Sequence, residues 1–182
     1  MKNIIATVRL FAVSAAFVLF AFVAEAKAQI FSQSPLSLQT LSAELTSPEK
    51  IARYLWRNFA YEKDQNQFGT EEYWQSADQF LTNRKGDCED FALLASELLK
   101  QSGRTAFIVN IYGSRYAHTI CVYIENGKYN AIDGSDLKRV NADDLKSLIS
   151  KINPSWTRAA ITDISEETNK GKILKLITKK TA

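Results

Sequence analysis

Three side chains, Cys88, His118 and Asp133, have the types and spacing of a nucleophilic centre. A cysteine attacks a carbonyl carbon as thiolate, and a helix start favours thiolate through its unpaired N–H groups and the positive end of the dipole. Cys88 follows Asp87, a good helix cap, and so stands at such a start. Taken alone it decides little, because cysteine often packs as a small hydrophobe. His118 is the single histidine of the chain and opens the alternating run HTICVYI. Asn126-Gly127 lies between two strand-like runs and is a two-residue hairpin signal. That turn pairs Glu125 with Lys128 and sets Asp133 opposite Ile120, diagonal to His118 on the same face. Diagonal neighbours lie about 7 Å apart, within reach of a hydrogen bond between imidazole and carboxylate. A carboxylate placed there fixes the imidazole tautomer and turns the ring toward a thiol.

The elements that must hold these groups can be read from the pattern. Asp87 and Asp90 open a helix that Gly103 closes, with Cys88, Phe91, Ala92, Ala95, Leu98 and Leu99 on one face. Strands are predicted over 105–112, 117–125 and 128–133. Upstream, Ser47-Pro48 begins a helix whose buried stripe is Ile51, Leu55 and Phe59, and the polar stretch 62–70 reads as a loop. Ser76 and Gln79 form a capping box for a short helix through Leu81. Downstream, Asn141 is the expected cap of a helix running to about Ile152, and 156–163 reads as a further strand. Helices first and an antiparallel sheet after make an α+β domain over 47–164. Residues 29–46, rich in Ser, Gln, Leu and Thr, read as a flexible lead-in, and 165–182 as a basic C-terminal extension.

The first 28 residues read as a signal peptide. Lys2 and Arg9 precede an apolar run over 10–24 that is short for a membrane span, and Ala26-Lys27-Ala28 follows as a small-x-small cleavage site. The overlapping Ala24-Glu25-Ala26 is nearly as good. The expectation is an exported protein, periplasmic or secreted, with no stable membrane span after processing. Loss of Lys2, Arg9 and Lys27 against Glu25 leaves the remaining chain close to neutral, which carries no nucleic-acid footprint.

In an exported chain two cysteines also suggest a disulfide. Cys121 is an odd number of residues from His118 and points to the other face of the strand. If the Cys88 helix packs on the His118 face, the two sulfurs lie on opposite sides of a β-layer and cannot bond. The triad is the preferred reading.

The run Gly86-Asp87-Cys88-Glu89-Asp90-Phe91-Ala92, then His118 opening a strand, then Ile132-Asp133, resembles the transglutaminase-like superfamily. Within it the chain is most similar to the bacterial transglutaminase-like cysteine peptidases, over 56–136 and with Trp74 in keeping. The resemblance implies a papain-like α+β fold whose central Cys-bearing helix packs on an antiparallel sheet. It implies that Cys88 attacks an acyl carbon, that His118 serves as general base and then acid, and that Asp133 orients it. The backbone N–H of Cys88 would be one oxyanion donor, with Trp56 or Trp74 the upstream candidates for the second. No cofactor is required. Some relatives bind calcium beside the cysteine, which makes Asp87 and Glu89 candidate calcium ligands. The implied activity is hydrolysis or acyl transfer at a protein, peptide or peptidoglycan-type amide. The alternative is a catalytically silent binding module of the cell envelope.

Overall fold

In the computed structural model, the residues described are 37–113, 117–165 and 170–179; the signal peptide expected over 1–28 lies outside them. The order of elements is α1 (Leu38–Glu44), α2 (Pro48–Asn58), β1 (Ala60–Tyr61), α3 (Asp64–Phe68), α4 (Ala77–Asn83), β2 (Lys85–Gly86) and α5 (Cys88–Gln101). Then come β3 (Ala106–Tyr112), β4 (Ala117–Glu125), β5 (Lys128–Asp133), β6 (Asp136–Ala142), α6 (Leu145–Ile152), β7 (Arg158–Ser165) and β8 (Lys170–Thr178). Helices precede an antiparallel six-stranded sheet of order β6-β5-β4-β3-β7-β8, and β1 and β2 form a small parallel pair of their own. This is the α+β, papain-like architecture the sequence predicts.

Alternation along the strands gives the sheet two apolar faces. One face, with Ala106, Ile108, Cys121, Tyr123 and Ile132, lies under α5 and the N-terminal helices. The other, with Val109, Ile111, Ile120, Val122 and Ala131, lies under α6. Leu94, Leu98 and Leu99 of α5 are fully buried, each contributing about 1.5–3 kcal/mol by area burial. Phe59, Phe80 and Phe91 pack with ring centroids 4.5, 5.0 and 6.1 Å apart and tie α2 and α4 to α5. The start of α5 is thereby fixed from both sides.

The hairpin register is the one expected: Glu125 pairs with Lys128 and Cys121 with Ile132. Several other expectations need correcting. The central helix packs on the Cys121 face, not on the His118 face. The lead-in contains α1, because Ser37 caps it and Leu41 is buried against the core. The stretch 62–70 contains α3, a five-residue helix closed by Gly69 in the left-handed region. Asp144, not Asn141, caps α6, and Asn141 has φ 51° at the end of β6, a strand the pattern missed. The basic C-terminal extension supplies β8, which pairs along β7 as an edge strand.

Candidate functional site

The start of α5 is positioned by a network that begins at Gly86. The β1–β2 pairing sets Tyr61 beside Gly86, and Glu62 N–H donates to the Gly86 carbonyl at 2.9 Å. A Cβ on Gly86 would stand 2.1 Å from Asp90 Oδ2, so only glycine fits where the Asp90 carboxylate lies. That carboxylate accepts from Gln75 N–H at 2.9 Å, Gln75 Nε2 at 2.6 Å and Asp87 N–H at 3.2 Å. Gln75 Nε2 also donates to the Lys85 carbonyl at 2.9 Å, and its Oε1 accepts from Asn83 at 2.7 Å. A fully buried glutamine thus joins the 73–76 segment, β2 and the first turn of α5.

Cys88 stands at the first position of α5 and is part-buried. Its Sγ donates to Glu89 Oε2 at 3.2 Å. Burial and the Glu89 carboxylate push the thiol well above the ordinary range, while a hydrogen bond from the Thr119 backbone pulls it down. The helix start alone would lower it, so desolvation and like charge win here. Thr119 follows His118 in β4, and the two side chains point to opposite faces of the strand, so the sulfur meets the backbone beside His118. His118 Nε2 shares a hydrogen with Asp133 Oδ1 at 2.6 Å, which leaves Nδ1 for a second partner. Their side chains are 32% and 23% exposed, so solvent and substrate can reach the pair.

The structure therefore brings His118 and Asp133 together, as the register predicts, and places Cys88 against the backbone next to His118. Among the described residues the thiol is bonded to Glu89 rather than to the imidazole. Cys121 is fully buried and free. It senses Glu97 and Lys100, which are two to three helical turns beyond Cys88 at about 1.5 Å per residue. The sulfurs are kept apart by the length of α5 rather than by the sheet. Neither tryptophan is placed as an oxyanion donor: Trp56 is 70% exposed on α2. The Trp74 indole donates to Glu72 Oε1 at 2.7 Å, and its ring packs on Gly171 of β8.

Cys88 opens into a cavity of about 630 Å³ whose lining includes Tyr61, Asp64, Asn110, Tyr112 and Thr119. Four carboxylates crowd this end of the helix. Asp64 is 1% exposed, and its Oδ2 accepts from Tyr73 N–H at 2.5 Å. Burial pushes Asp64 up to about 6 and Asp90 up to about 7, against the hydrogen bonds they accept. Glu89 is raised by burial and by Asp87. Asp64 Oδ1 and Asp87 Oδ1 are sealed from solvent and have no hydrogen-bond partner among the described residues. Asp64 and Tyr61 went unnoticed in the sequence because Asp64 lies within, and Tyr61 just before, a polar stretch with no periodicity; the β1–β2 pairing brings Tyr61 to the Cys88 end of α5.

A model of the transglutaminase-like domain matches residues 36–151. The chain belongs to that family. No curated protein matches it. Among solved structures, the calcium-bound LapG of Legionella pneumophila aligns with a TM-score of 0.50 at 19% identity, over 78% of each chain. The EGTA-treated form of the same protein gives 0.47 at 19% identity, over 66% of this chain and 70% of that one. A candidate cysteine protease from Cytophaga hutchinsonii gives 0.46 at 17% identity, over 78% of this chain and 57% of that one. The family and the calcium-bound LapG agree with the fold just described. No helix among the described residues is long and apolar enough to cross a membrane.

Proposed function

We propose that the protein is an exported cysteine hydrolase or acyltransferase acting on amide bonds of protein, peptide or peptidoglycan-type substrates, with Cys88, His118 and Asp133 as its triad. One observation carries this reading: the His118–Asp133 pair sits one residue from the Thr119 N–H that meets the Cys88 thiol. With Nε2 held by Asp133, Nδ1 is the imidazole's proton acceptor. As sulfur attacks the acyl carbon, the thiol proton passes to His118, which then donates it to the leaving amine. Water or a second amine resolves the thioester and sets hydrolysis apart from transfer. Export rests on the leader of residues 1–28.

The carboxylates fit a hard divalent cation. Asp64, Asp87 and Asp90 present oxygens within 4.8 Å of one another, and so do Asp87 and Glu89 around the Cys88 sulfur. Both Asp90 oxygens are already engaged, but Asp87 Oδ1 and Asp64 Oδ1 are buried without a partner, as cation ligands would be before loading. Asp87 and Glu89 would hold calcium, with Asp64 facing them, in keeping with the calcium-bound LapG relative. Calcium held there would supply positive charge that opposes the carboxylates' hold on the thiol proton.

The alternative, a silent binding module, is favoured by the bond from Cys88 to Glu89 and the raised thiol. Mass spectrometry of the mature protein after brief iodoacetamide treatment at neutral pH, with and without calcium, separates the two. Modification of Cys88 well ahead of Cys121, on a chain lacking the leader, is the expected result. Equal modification of both cysteines, or none at Cys88 with calcium present, would leave the silent module standing.

A further inference from the structure

We infer that the Tyr61 hydroxyl is the second oxyanion donor of the Cys88 site. This rests on Cys88 being the nucleophile and names a partner for it that neither tryptophan supplies.

An acyl carbon attacked by sulfur places a negative charge on its oxygen, and two donors aimed at that oxygen are needed. One is the Cys88 N–H, which has no intrahelical acceptor at the first position of α5. The other must come from the wall of the same cavity. Thr119 has spent its hydroxyl on Asn110 Oδ1 at 3.0 Å, and that bond also holds the Asn110 amide in place. The Tyr112 ring lies under the Arg158 guanidinium, which stands 4.9 Å from the ring centroid. Gln65 belongs to the five-residue α3 and has no strand pairing to fix it.

Tyr61 differs from these in how it is held. β1 pairs with β2 so that Tyr61 faces Gly86, two residues before Cys88, and the flanking bonds from Ala60 to the Arg84 carbonyl and from Glu62 to the Gly86 carbonyl are both 2.9 Å. Its backbone is therefore fixed to the same short segment that carries the Cys88 N–H, and the two donors move as one unit. The side chain lines the Cys88 cavity. Partial burial pushes the phenol up to about 12, and the Cys88, Asp87, Glu89 and Asp64 side chains near it add to the rise. The hydroxyl makes no hydrogen bond to another described residue, and the side chain is 62% exposed, so an incoming acyl oxygen meets a free donor.

In the step itself the Cys88 sulfur forms a bond to the carbonyl carbon, and its proton goes to His118. The carbonyl π pair moves to oxygen, where the Cys88 N–H and the Tyr61 O–H receive it. When the pair returns, the bond to the leaving group breaks and a thioester remains on Cys88.

Two reagents separate this role from general upkeep of the pocket. Acylation of Cys88 by p-nitrophenyl acetate passes through an oxyanion; alkylation by iodoacetamide is a displacement at saturated carbon and does not. Tyr61→Phe in the full mature chain should slow acylation about 100-fold while leaving the alkylation rate and melting temperature unchanged. Acylation at the wild-type rate, or an equal slowing of both reactions, overturns the assignment. If wild type itself is alkylated but never acylated at Cys88, the oxyanion site is absent and the assignment falls with it. If wild-type Cys88 reacts with neither reagent, the nucleophile reading has failed first.

Discussion

Raising the pH should destabilise the protein when calcium is withheld, the reverse of what carboxylates in ion pairs do. Asp64 and Asp90 are buried, and their folded-state values rise from 3.8 to about 6 and about 7. A raised carboxyl is favoured in its protonated form by the fold, so unfolding releases protons above about pH 4. The stability these groups contribute is complete below their unfolded values and is lost as pH climbs through 6 and 7. At 1.36 kcal/mol per unit the two shifts are worth on the order of 3 and 4 kcal/mol, and less than their sum because the groups share one field. A net loss of about 2–4 kcal/mol between pH 5 and 8.5 corresponds to a fall in melting temperature on the order of 10 °C for a domain of this size. The assay is circular-dichroism melting in chelator at several pH values, repeated with calcium. Calcium should restore most of the loss near pH 8.5 and have little effect near pH 5, where protons compete for the same oxygens. A melting temperature that is flat or rises across this range in chelator would refute the account of these carboxylates as buried and unpaired.

The triad variants should separate chemistry from folding. His118→Ala should slow Cys88 alkylation strongly, whereas Asp133→Asn should lower it less and leave melting within about 1 kcal/mol of wild type, because the pair is partly exposed; early melting with an unchanged alkylation profile would contradict the triad. Gly86→Ala forces a methyl to within 2.1 Å of Asp90 Oδ2 and should cost about 2–4 kcal/mol by parting Asp90 from Gln75, which chemical denaturation measures; a wild-type midpoint would mean that the network is slack. Gly171→Ala meets the Trp74 ring at 2.6 Å and should lower the melting temperature, and with it the tryptophan fluorescence signature, without changing Cys88 alkylation.

Much of the site could be read from the chain because its logic is local. The Asn126-Gly127 turn fixes the β4–β5 register, and that register alone joins His118 to Asp133. The α5 cap and apolar face place Cys88 at a helix start from residues within one turn of it. What could not be read depends on partners distant in sequence. Alternation shows that Cys121 and His118 point apart, yet not which face the helix covers, since both faces of this sheet are apolar and both are covered. The Asp90 carboxylate reads as a capping residue, and its role as the acceptor for Gln75 needs the fold. β8 reads as a basic tail because an edge strand needs no apolar pattern and tolerates lysine.

The thiol at the head of α5 is pulled in two directions, and the balance says how it must react. The helix start and the Thr119 N–H favour thiolate; burial and Glu89 oppose it, and the second pair prevails. A resting thiolate is therefore not what the structure offers. In the proposed triad His118, held through Nε2 by Asp133, would take the proton at the moment of attack, because a general base need only match the proton's affinity in the transition state. Glu89 holds that proton in competition with His118, at 3.2 Å from the sulfur. Asp87 and Glu89 would hold a cation there, whose positive charge would weaken the carboxylate's claim on the proton. In the proposed triad the acidic residues around Cys88 would keep the thiol protonated, and the His118–Asp133 pair would remove the proton when an acyl carbon is in place.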